Sequence, residues 1–224
     1  MIIIRFLKRL LLVLLISHLV YLIALKWVNP PITITQLSQM INQKKLKRDY
    51  IAYNDMGINS KLAVIASEDQ LFPTHNGFDF KEMEKAYQDI QKGKRFRGGS
   101  TISQQVAKNV FLWQGRSWVR KALEAYFTFM IEMIWGKERI LEMYLNTSEM
   151  GIGVFGIEAA SDYYFNKPAK DLTASEAARI AAALPNPRKY RVNPPSPYIS
   201  ARASAIQRHM RNLRGSKVFE ELLK

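Results

Sequence analysis

Two short stretches of the chain carry most of the information about its fold and its chemistry. Residues 68–77 read EDQLFPTHNG, and residues 97–105 read RGGSTISQQ. The segment just before the first stretch, residues 62–66, is apolar on every side and predicts a buried helix that ends at two acids. Paired glycines followed by hydroxyl side chains predict a turn that opens a second helix, from Ser100 to about Leu112.

Helices account for most of the remaining chain. Capping residues and glycine or proline breakers mark their ends, and convincing strand-like alternation is missing. The predicted fold class is therefore mainly α. The expected N-caps are Thr35, Ser60, Asp79, Ser100, Ser117 and Thr173. The further helices are expected over residues 35–47, 61–67, 79–93, 117–136, 137–146, 157–165, 173–184 and 197–213.

The N-terminal segment predicts a membrane anchor. Residues 10–28 are almost entirely apolar, and at about 1.5 Å per residue they would cover the roughly 30 Å hydrocarbon core of a bilayer. Arg5, Lys8 and Arg9 precede this run, which predicts a cytoplasmic N-terminus, residues 1–9, and an extracytoplasmic body. A cleaved signal peptide is the alternative, but no small-x-small cleavage site follows the apolar run.

The net charge of +14 points to anionic partners. Most of this charge lies on the body, and a basic body beside a bilayer predicts contact with anionic lipid or pyrophosphate groups. Nucleic acid is the usual partner of so basic a chain, but an anchored, extracytoplasmic body argues against it. The chain has no cysteine, which excludes disulfides and thiolate metal sites.

Glu68 and Asp69 are candidates for proton transfer. Carboxylates at the end of a helix face its negative dipole end, and burial makes such a group a better proton acceptor near neutral pH. A surface turn with two solvated acids explains the pair as well. The residues alone leave both explanations open.

The second stretch predicts an anion site. Free N–H groups at a helix start, paired glycines and the basic residues within 94–97 together suit a phosphate group. Ser100, Gln104 and Lys108 follow one another at intervals of four and would form one polar helix face. An ordinary polar face is the alternative explanation of this row. The Gly-Lys-Ser/Thr ending of a nucleotide-binding P-loop is missing.

Both stretches resemble the first two motifs of the peptidoglycan glycosyltransferases, glycosyltransferase family 51. Three later segments continue the family order: RKALE at residues 120–124, KERILEMYLN at 137–146, and the alanine-rich segment 174–187. In the second motif Ser103 replaces the commoner threonine and keeps its hydroxyl. The resemblance covers residues 60–197, which is most of the body.

The resemblance implies a role for each matching residue. Glu68 is implied to be the catalytic base, and Glu124 a second acid that helps to bind and orient the sugar-pyrophosphate. From the residues alone, Glu124 also fits a surface ion pair with Arg120. The implied substrate-binding residues are Ser100, Gln104, Lys108, Arg116, Arg120 and Lys121. The implied supporting residues are Asp69, His75, Gly77, Gly98, Gly99, Gln105 and Asn146, with His75 closing a turn and Asn146 serving the architecture.

The fold implied by the family is a lysozyme-like glycosyltransferase domain with a small membrane-proximal lobe. We place the anchor at residues 10–28, a linker and short helix at 29–58, the domain at 59–213 and a tail at 214–224. The implied location is the outer, periplasmic side of a bacterial inner membrane, with membrane lipids as neighbours. Cell-division or elongation proteins are further possible partners.

The implied activity is polymerisation of lipid II into glycan strands, with inversion at the sugar C1 and release of undecaprenyl pyrophosphate. The growing glycan chain is the other substrate. No cofactor is required, although Mg²⁺ or Mn²⁺ at the pyrophosphate is compatible with the chemistry, and no ligand cluster predicts a metal site. Ser-x-x-Lys and Lys-Thr-Gly motifs are missing, so transpeptidase activity is not expected.

Two other functions fit parts of the sequence. A lysozyme-like hydrolase is also an α fold with an essential glutamate, but a leaving saccharide does not call for the cationic set that contains Lys108 and Arg116. A membrane scaffold without catalytic activity would tolerate the loss of Glu68. Substitution of Glu68 therefore separates the three functions.

Overall fold

The computed structural model describes residues 2–43, 45–93, 99–115 and 117–223. Within them most residues are helical, which confirms the mainly α fold class. The helices are α1 (Ile2–Ala24), α2 (Ile34–Gln43), α3 (Ile58–Glu68), α4 (Phe80–Gln91), α5 (Ile102–Phe111), α6 (Trp118–Ile134), α7 (Lys137–Thr147), α8 (Ile157–Phe165), α9 (Ala174–Ala183), α10 (Pro197–Leu213) and α11 (Lys217–Leu223). The strands are β1 (Lys47–Arg48), β2 (Glu149–Gly151) and β3 (Val154–Phe155).

Helix α3 lies at the centre of the domain and presents its C-terminal end to the candidate site. It packs against α9 and α10, while α5 packs against α6 and α7. Residues 62–66 are all buried, as their apolar pattern predicts, and the polar Ser60 and Lys61 are buried with them. The ammonium of Lys61 lies 3.4 Å from the centre of the Tyr53 ring, a cation–π contact that offsets part of its desolvation.

The three strands form a small sheet in the order β1-β3-β2. Strand β1 runs parallel to β3 with Lys47 opposite Val154, and β2 runs antiparallel to β3. The expectation that strands are lacking is wrong here, because strands of two or three residues are too short to show alternation. The sheet also explains why the helix expected over residues 35–47 ends at Gln43: the chain must extend to reach β3.

Several predicted N-caps are confirmed by side-chain hydrogen bonds. The side chains of Asp79 and Ser117 accept from backbone N–H groups in the first turns of α4 and α6. Thr173 forms the predicted capping box with Glu176. Pro197 occupies the first turn of α10, whose end at Leu213 also agrees with the prediction.

Three N-caps differ from the prediction. Thr35 lies inside helix α2, which is capped by Thr33: the Thr33 hydroxyl accepts from Gln36 N at 3.2 Å, and the Gln36 side chain accepts from Thr33 N at 3.1 Å. Helix α3 begins after Gly57, so Ser60 lies inside it and is buried. Helix α5 is capped by Thr101 and not by Ser100, because the Thr101 hydroxyl accepts from Gln104 N at 3.2 Å while the Gln104 side chain accepts from Thr101 N at 3.0 Å. This reciprocal pair satisfies two backbone donors at once.

The N-terminal helix α1 is long and apolar enough to cross a membrane. Its apolar span covers Ile3–Ala24 with a mean hydropathy of 2.0, and most of its side chains are exposed. It begins and ends earlier than the predicted span 10–28, and residues 25–28 follow it as hydrogen-bonded turns. Leu25 O and Val28 O accept hydrogen bonds from the buried guanidinium of Arg139 on α7.

The last turns of α1 also contact the body of the domain. Trp135 Nε1 donates to Leu22 O at 2.9 Å, and Leu22 and Leu25 are buried against the body. His18 bonds to the hydroxyl of Tyr126 on α6 at 3.1 Å. The end of the apolar helix is therefore packed directly against the domain.

The residues predicted as a C-terminal tail contain helix α11, which packs on the body. Phe219, Leu222 and Leu223 are buried, and the Tyr53 hydroxyl donates to Leu222 O. A helix this short lacks a readable periodicity, so only its packing partners reveal that it belongs to the domain.

Candidate active site

Glu68 is the last residue of α3 and lies at a cavity. Its side chain is only 14% exposed. Oε1 accepts from the Ser67 hydroxyl at 2.9 Å, and Oε2 accepts from Gln105 Nε2 at 3.1 Å. Arg202 on α10 places its guanidinium 3.8 Å from Oε1. The predicted candidate base is therefore held by donors from two other parts of the domain, and the solvated-turn explanation does not hold.

Asp69 has a structural role that its sequence neighbours do not reveal. Its buried carboxylate accepts from Ile102 N at 3.0 Å and contacts His75 Nε2 at 2.9 Å. Gly77 N donates to His75 Nδ1 at 3.1 Å, so the ring proton lies on Nε2 and points at Asp69. Asp69 thereby ties the first motif to the start of α5, and His75 closes the turn as predicted.

Both the backbone conformation at residue 77 and the space around it require a glycine. Its φ is +86°, and a Cβ there would lie 2.8 Å from Thr128 Cγ2. Its carbonyl accepts from the Thr101 hydroxyl at 2.7 Å, which holds the two motifs together a second time. A side chain at this position would therefore disturb the approach of α5 to α6.

The predicted anion site at the start of α5 needs correction. Ile102 N donates to Asp69, and Gln104 N donates to Thr101, so these backbone donors already have partners within the protein. Ser100 precedes the cap, so it does not extend a helical face through Gln104 to Lys108. Gly98 and the predicted basic residues within 94–97 lie outside the described residues.

A cluster of charges on α5 and α6 supplies the cationic part of the site. Glu124 is buried on α6, where Arg120 Nη1 donates to it at 2.6 Å and Lys121 Nζ donates to its other oxygen. Lys108 on α5 faces this group. Burial lowers the pKa of Lys108, while the charges of Glu124 and Glu68 raise it and those of Arg120 and Lys121 lower it further. The cluster therefore lies within electrostatic reach of the candidate base.

Two arginines in the site have unused donors. Among the residues that the structure describes, the Nε atoms of Arg120 and Arg202 are buried and lack a hydrogen-bond partner. An unpaired buried donor is costly, so such groups are suited to an acceptor on a bound ligand. Arg202 was not predicted, because the last long helix carries no recognisable motif. Arg116, which was predicted, lies outside the described residues.

Three cavities surround these side chains. The first, of about 550 Å³, is lined by Glu68, Gly99 and Ser100. A second, of about 220 Å³, shares Gly99 and Ser100 and adds Gln104 and Lys121 to an apolar wall from α4. The third, of about 400 Å³, is lined by polar residues that include Gln105, Lys108, Tyr144, Ser148 and Arg188. The first two cavities share a wall at Gly99 and Ser100, and Gln105, which donates to Glu68, lines the third.

Asn146 does not belong to this region. It is fully buried on α7, where its side-chain amide exchanges two hydrogen bonds with the backbone of Ile51, at 3.0 and 3.1 Å. This is the architectural role that we expected. Within the described ranges, no group of three or more His, Cys, Asp or Glu side chains is arranged to hold a metal ion. A divalent cation at the pyrophosphate stays a prediction.

Lys108 provides a test of the desolvation in the cluster. Because burial places its folded-state pKa below the unfolded value near 10.5, the unfolded chain binds more protons, and wild-type stability rises with pH through this interval. Methionine does not titrate, so the free energy of unfolding of Lys108→Met does not rise with pH through this interval. We expect the variant to be more stable than wild type near neutral pH, with an advantage that shrinks as the pH approaches 10.5.

Urea unfolding at several pH values between 7 and 10 measures this difference. Lys85→Met is the matched control, because the Lys85 side chain is 67% exposed and its pair with Glu82 lies at the surface. The control should show a small, pH-independent difference from wild type. The same pH-independent behaviour in Lys108→Met would contradict the prediction.

Known proteins resemble this chain over most of its length. The model of the transglycosylase family matches residues 34–211. A biosynthetic peptidoglycan transglycosylase of Chromohalobacter salexigens is 55% identical over 177 residues, which are 79% of this chain and 76% of its own. Proteins of the same name from Aeromonas hydrophila (46% identical, 92% and 90% covered) and Ectopseudomonas mendocina (45% identical, 97% and 93% covered) match most of the chain. With these matches and a mainly α, lysozyme-like domain behind an apolar helix, the chain belongs to the transglycosylase family.

Proposed function

We propose that this protein is a peptidoglycan glycosyltransferase that polymerises lipid II into glycan strands. The observation that carries the proposal is that Lys108 lies within electrostatic reach both of a hydrogen-bonded carboxylate, Glu68, and of the Arg120–Lys121–Glu124 group. The relatives named above are biosynthetic peptidoglycan transglycosylases, and this name agrees with such a site.

The proposed reaction is a single displacement. The 4-hydroxyl of the acceptor GlcNAc attacks C1 of the donor MurNAc, and Glu68 takes the hydroxyl proton as the new C–O bond forms. The bond from C1 to the phosphate oxygen breaks on the opposite face, so the configuration inverts from α to β. Undecaprenyl pyrophosphate leaves with the electron pair. General base catalysis of this kind contributes about 10²–10⁴-fold to the rate.

The cationic cluster would stabilise the charge of the leaving pyrophosphate. Lys108, Arg120 and Lys121 supply positive charge, and the buried Nε of Arg120 is an unused donor. Glu124 holds Arg120 and Lys121 in place through two hydrogen bonds. Preorganised charge of this kind is worth more in a partly desolvated site than in water. A hydrolase that expels a saccharide has no need of such a cluster.

The location follows from the apolar helix. Arg5, Lys8 and Arg9 lie on its N-terminal side, which favours a cytoplasmic N-terminus and an extracytoplasmic domain at the inner membrane. A lipid-linked substrate would share the membrane with its enzyme, and the hydrogen bonds of Trp135 to Leu22 O and of Arg139 to Leu25 O would hold the domain close to the end of the helix.

The test is an assay of full-length protein in detergent with labelled lipid II. We expect long, uncrosslinked strands, with one undecaprenyl pyrophosphate released for each bond formed and β-linkages in the product. A parallel incubation with preformed glycan tests for hydrolysis. Failure of well-folded protein to form polymer, or cleavage of the preformed glycan, would contradict the proposal.

A further inference from the structure

Gln105 connects the candidate base to a buried tyrosine. Its Nε2 donates to Glu68 Oε2 at 3.1 Å and to Ser100 O at 3.4 Å, while its Oε1 accepts from the hydroxyl of Tyr144 at 3.2 Å. All the hydrogen bonds of this amide are consistent with one orientation. If the amide rotated by half a turn, its oxygen would face the Ser100 carbonyl, another acceptor.

The tyrosine is well placed to hold that orientation. Tyr144 is only 1% exposed on α7 and belongs to the core. Burial raises its pKa well above the usual value, with a further contribution from the charge of Glu68. It therefore remains a hydroxyl at any pH at which the protein would work, and it can donate to Gln105 throughout.

We propose that Tyr144 is a positioning residue for the reaction, which acts through Gln105 to keep an N–H group, and not a carbonyl oxygen, directed at Glu68. An N–H donor stabilises the carboxylate that must accept the proton, whereas a carbonyl oxygen stabilises the protonated acid. The inference rests on the proposed role of Glu68 as base. It assigns Tyr144 a function that is exerted through Gln105.

The other groups around Glu68 do not replace this contact. Ser67 donates to the other oxygen, and Arg202 from α10 lies 3.8 Å away. Lys108 from α5 acts on Glu68 by charge alone. Two further acids, Asp79 and Glu82, line the same cavity. The Ser100 carbonyl and the Glu68 carboxylate favour the observed orientation from the Nε2 side of the amide, and the tyrosine hydroxyl supports it from the Oε1 side.

Tyr144→Phe removes the hydroxyl and little else. In this variant the amide can rotate and present Oε1 to a protonated Glu68. We expect kcat for lipid II polymerisation to fall roughly tenfold, with KM within about twofold of wild type. The acid limb of the rate against pH should move to higher pH. Unchanged kinetics, or a fall in kcat with an unmoved acid limb, would overturn the inference.

A double-mutant cycle separates positioning from a purely structural effect. In a Gln105→Leu background no amide remains, so adding Tyr144→Phe should leave the acid limb where Gln105→Leu alone puts it. A shift of equal size in both backgrounds would show that the hydroxyl acts by another route. Tyr164→Phe is the matched control, because the Tyr164 hydroxyl also donates within the protein, to Met150 O at 3.1 Å, but on α8 and outside the cavities described above.

A direct titration makes the result independent of turnover. The full chain is labelled with ¹³C at the glutamate carboxyl carbons, and the Glu68 resonance is identified by its loss in Glu68→Gln. Tyr144→Phe should raise the midpoint of this titration, and Tyr164→Phe should leave it unchanged. A midpoint that is the same in Tyr144→Phe and wild type overturns the inference. If wild type forms no polymer but the midpoint still moves, the proposed function fails while the contact itself is upheld.

Discussion

Glu68→Gln should abolish the formation of glycan strands. Glutamine keeps the shape of the side chain, and its amide oxygen can still accept one of the two hydrogen bonds that hold Glu68. It cannot take a proton from the attacking hydroxyl. We therefore expect the rate of lipid II consumption to fall by about 10²–10⁴-fold while the protein remains folded. Initial rates at saturating lipid II, with thermal unfolding of the same samples, measure both quantities.

A second glutamate serves as the control for this experiment. Glu84 on α4 is exposed, and Gln88 donates to its carboxylate at 3.4 Å within the same helix. Glu84→Gln changes charge by the same amount as Glu68→Gln, and we expect polymerisation close to wild type. Equal amounts of polymer from wild type and Glu68→Gln would exclude Glu68 as the base and would favour a scaffold or a different catalytic group.

The second large effect is expected on stability. Glu124→Gln removes the one carboxylate that pairs with both Arg120 and Lys121, and the Arg120 side chain is only 12% exposed. It also removes the negative charge that raises the pKa of Lys108, so the protonated form of Lys108 becomes less stable in the folded protein. Leaving the largely buried guanidinium of Arg120 without its carboxylate should lower the free energy of unfolding by about 3 kcal/mol, and the half-exposed Lys121 should add little to this. Polymerisation should fall as well, because the pyrophosphate site loses its order.

Denaturant unfolding near neutral pH measures this loss. Asp162→Asn is the matched control, since it breaks the pair of Asp162 with Lys47, in which both side chains are about half exposed. Such a surface pair contributes at most about 1 kcal/mol. If Glu124→Gln and Asp162→Asn lost the same small amount, the cluster on α5 and α6 would be solvated and the argument for a desolvated cationic site would be wrong.

Helix ends were predictable where the cap and its partner are neighbours in the sequence. Asp79, Ser117 and Thr173 each accept from an N–H group three residues later, so their patterns contain all the information needed. Thr101 and Ser100 are adjacent hydroxyl residues, and either one satisfies the local pattern. The reciprocal bond from Gln104 decides between them, and only the structure shows it.

The sequence predicted which residues belong to the candidate site better than it predicted how they are arranged. The motif order located Glu68, Lys108 and Glu124, but the pattern suggested free backbone donors at the start of α5. One of these donors, Ile102 N, is taken by Asp69, which lies 33 residues earlier in the chain. Arg202 was missed because it comes from α10 and carries no local signal.

The sequence by itself determined the helical class, the apolar N-terminal helix and the motif residues, because these depend on composition, periodicity and spacing along the chain. Only the tertiary structure decided which partner each polar group takes. Asp69 meets α5, Gln105 lies between Glu68 and Tyr144, and Arg139 holds the end of α1. These partners are distant in sequence, and packing in three dimensions brings them together, so no local pattern contains their identity.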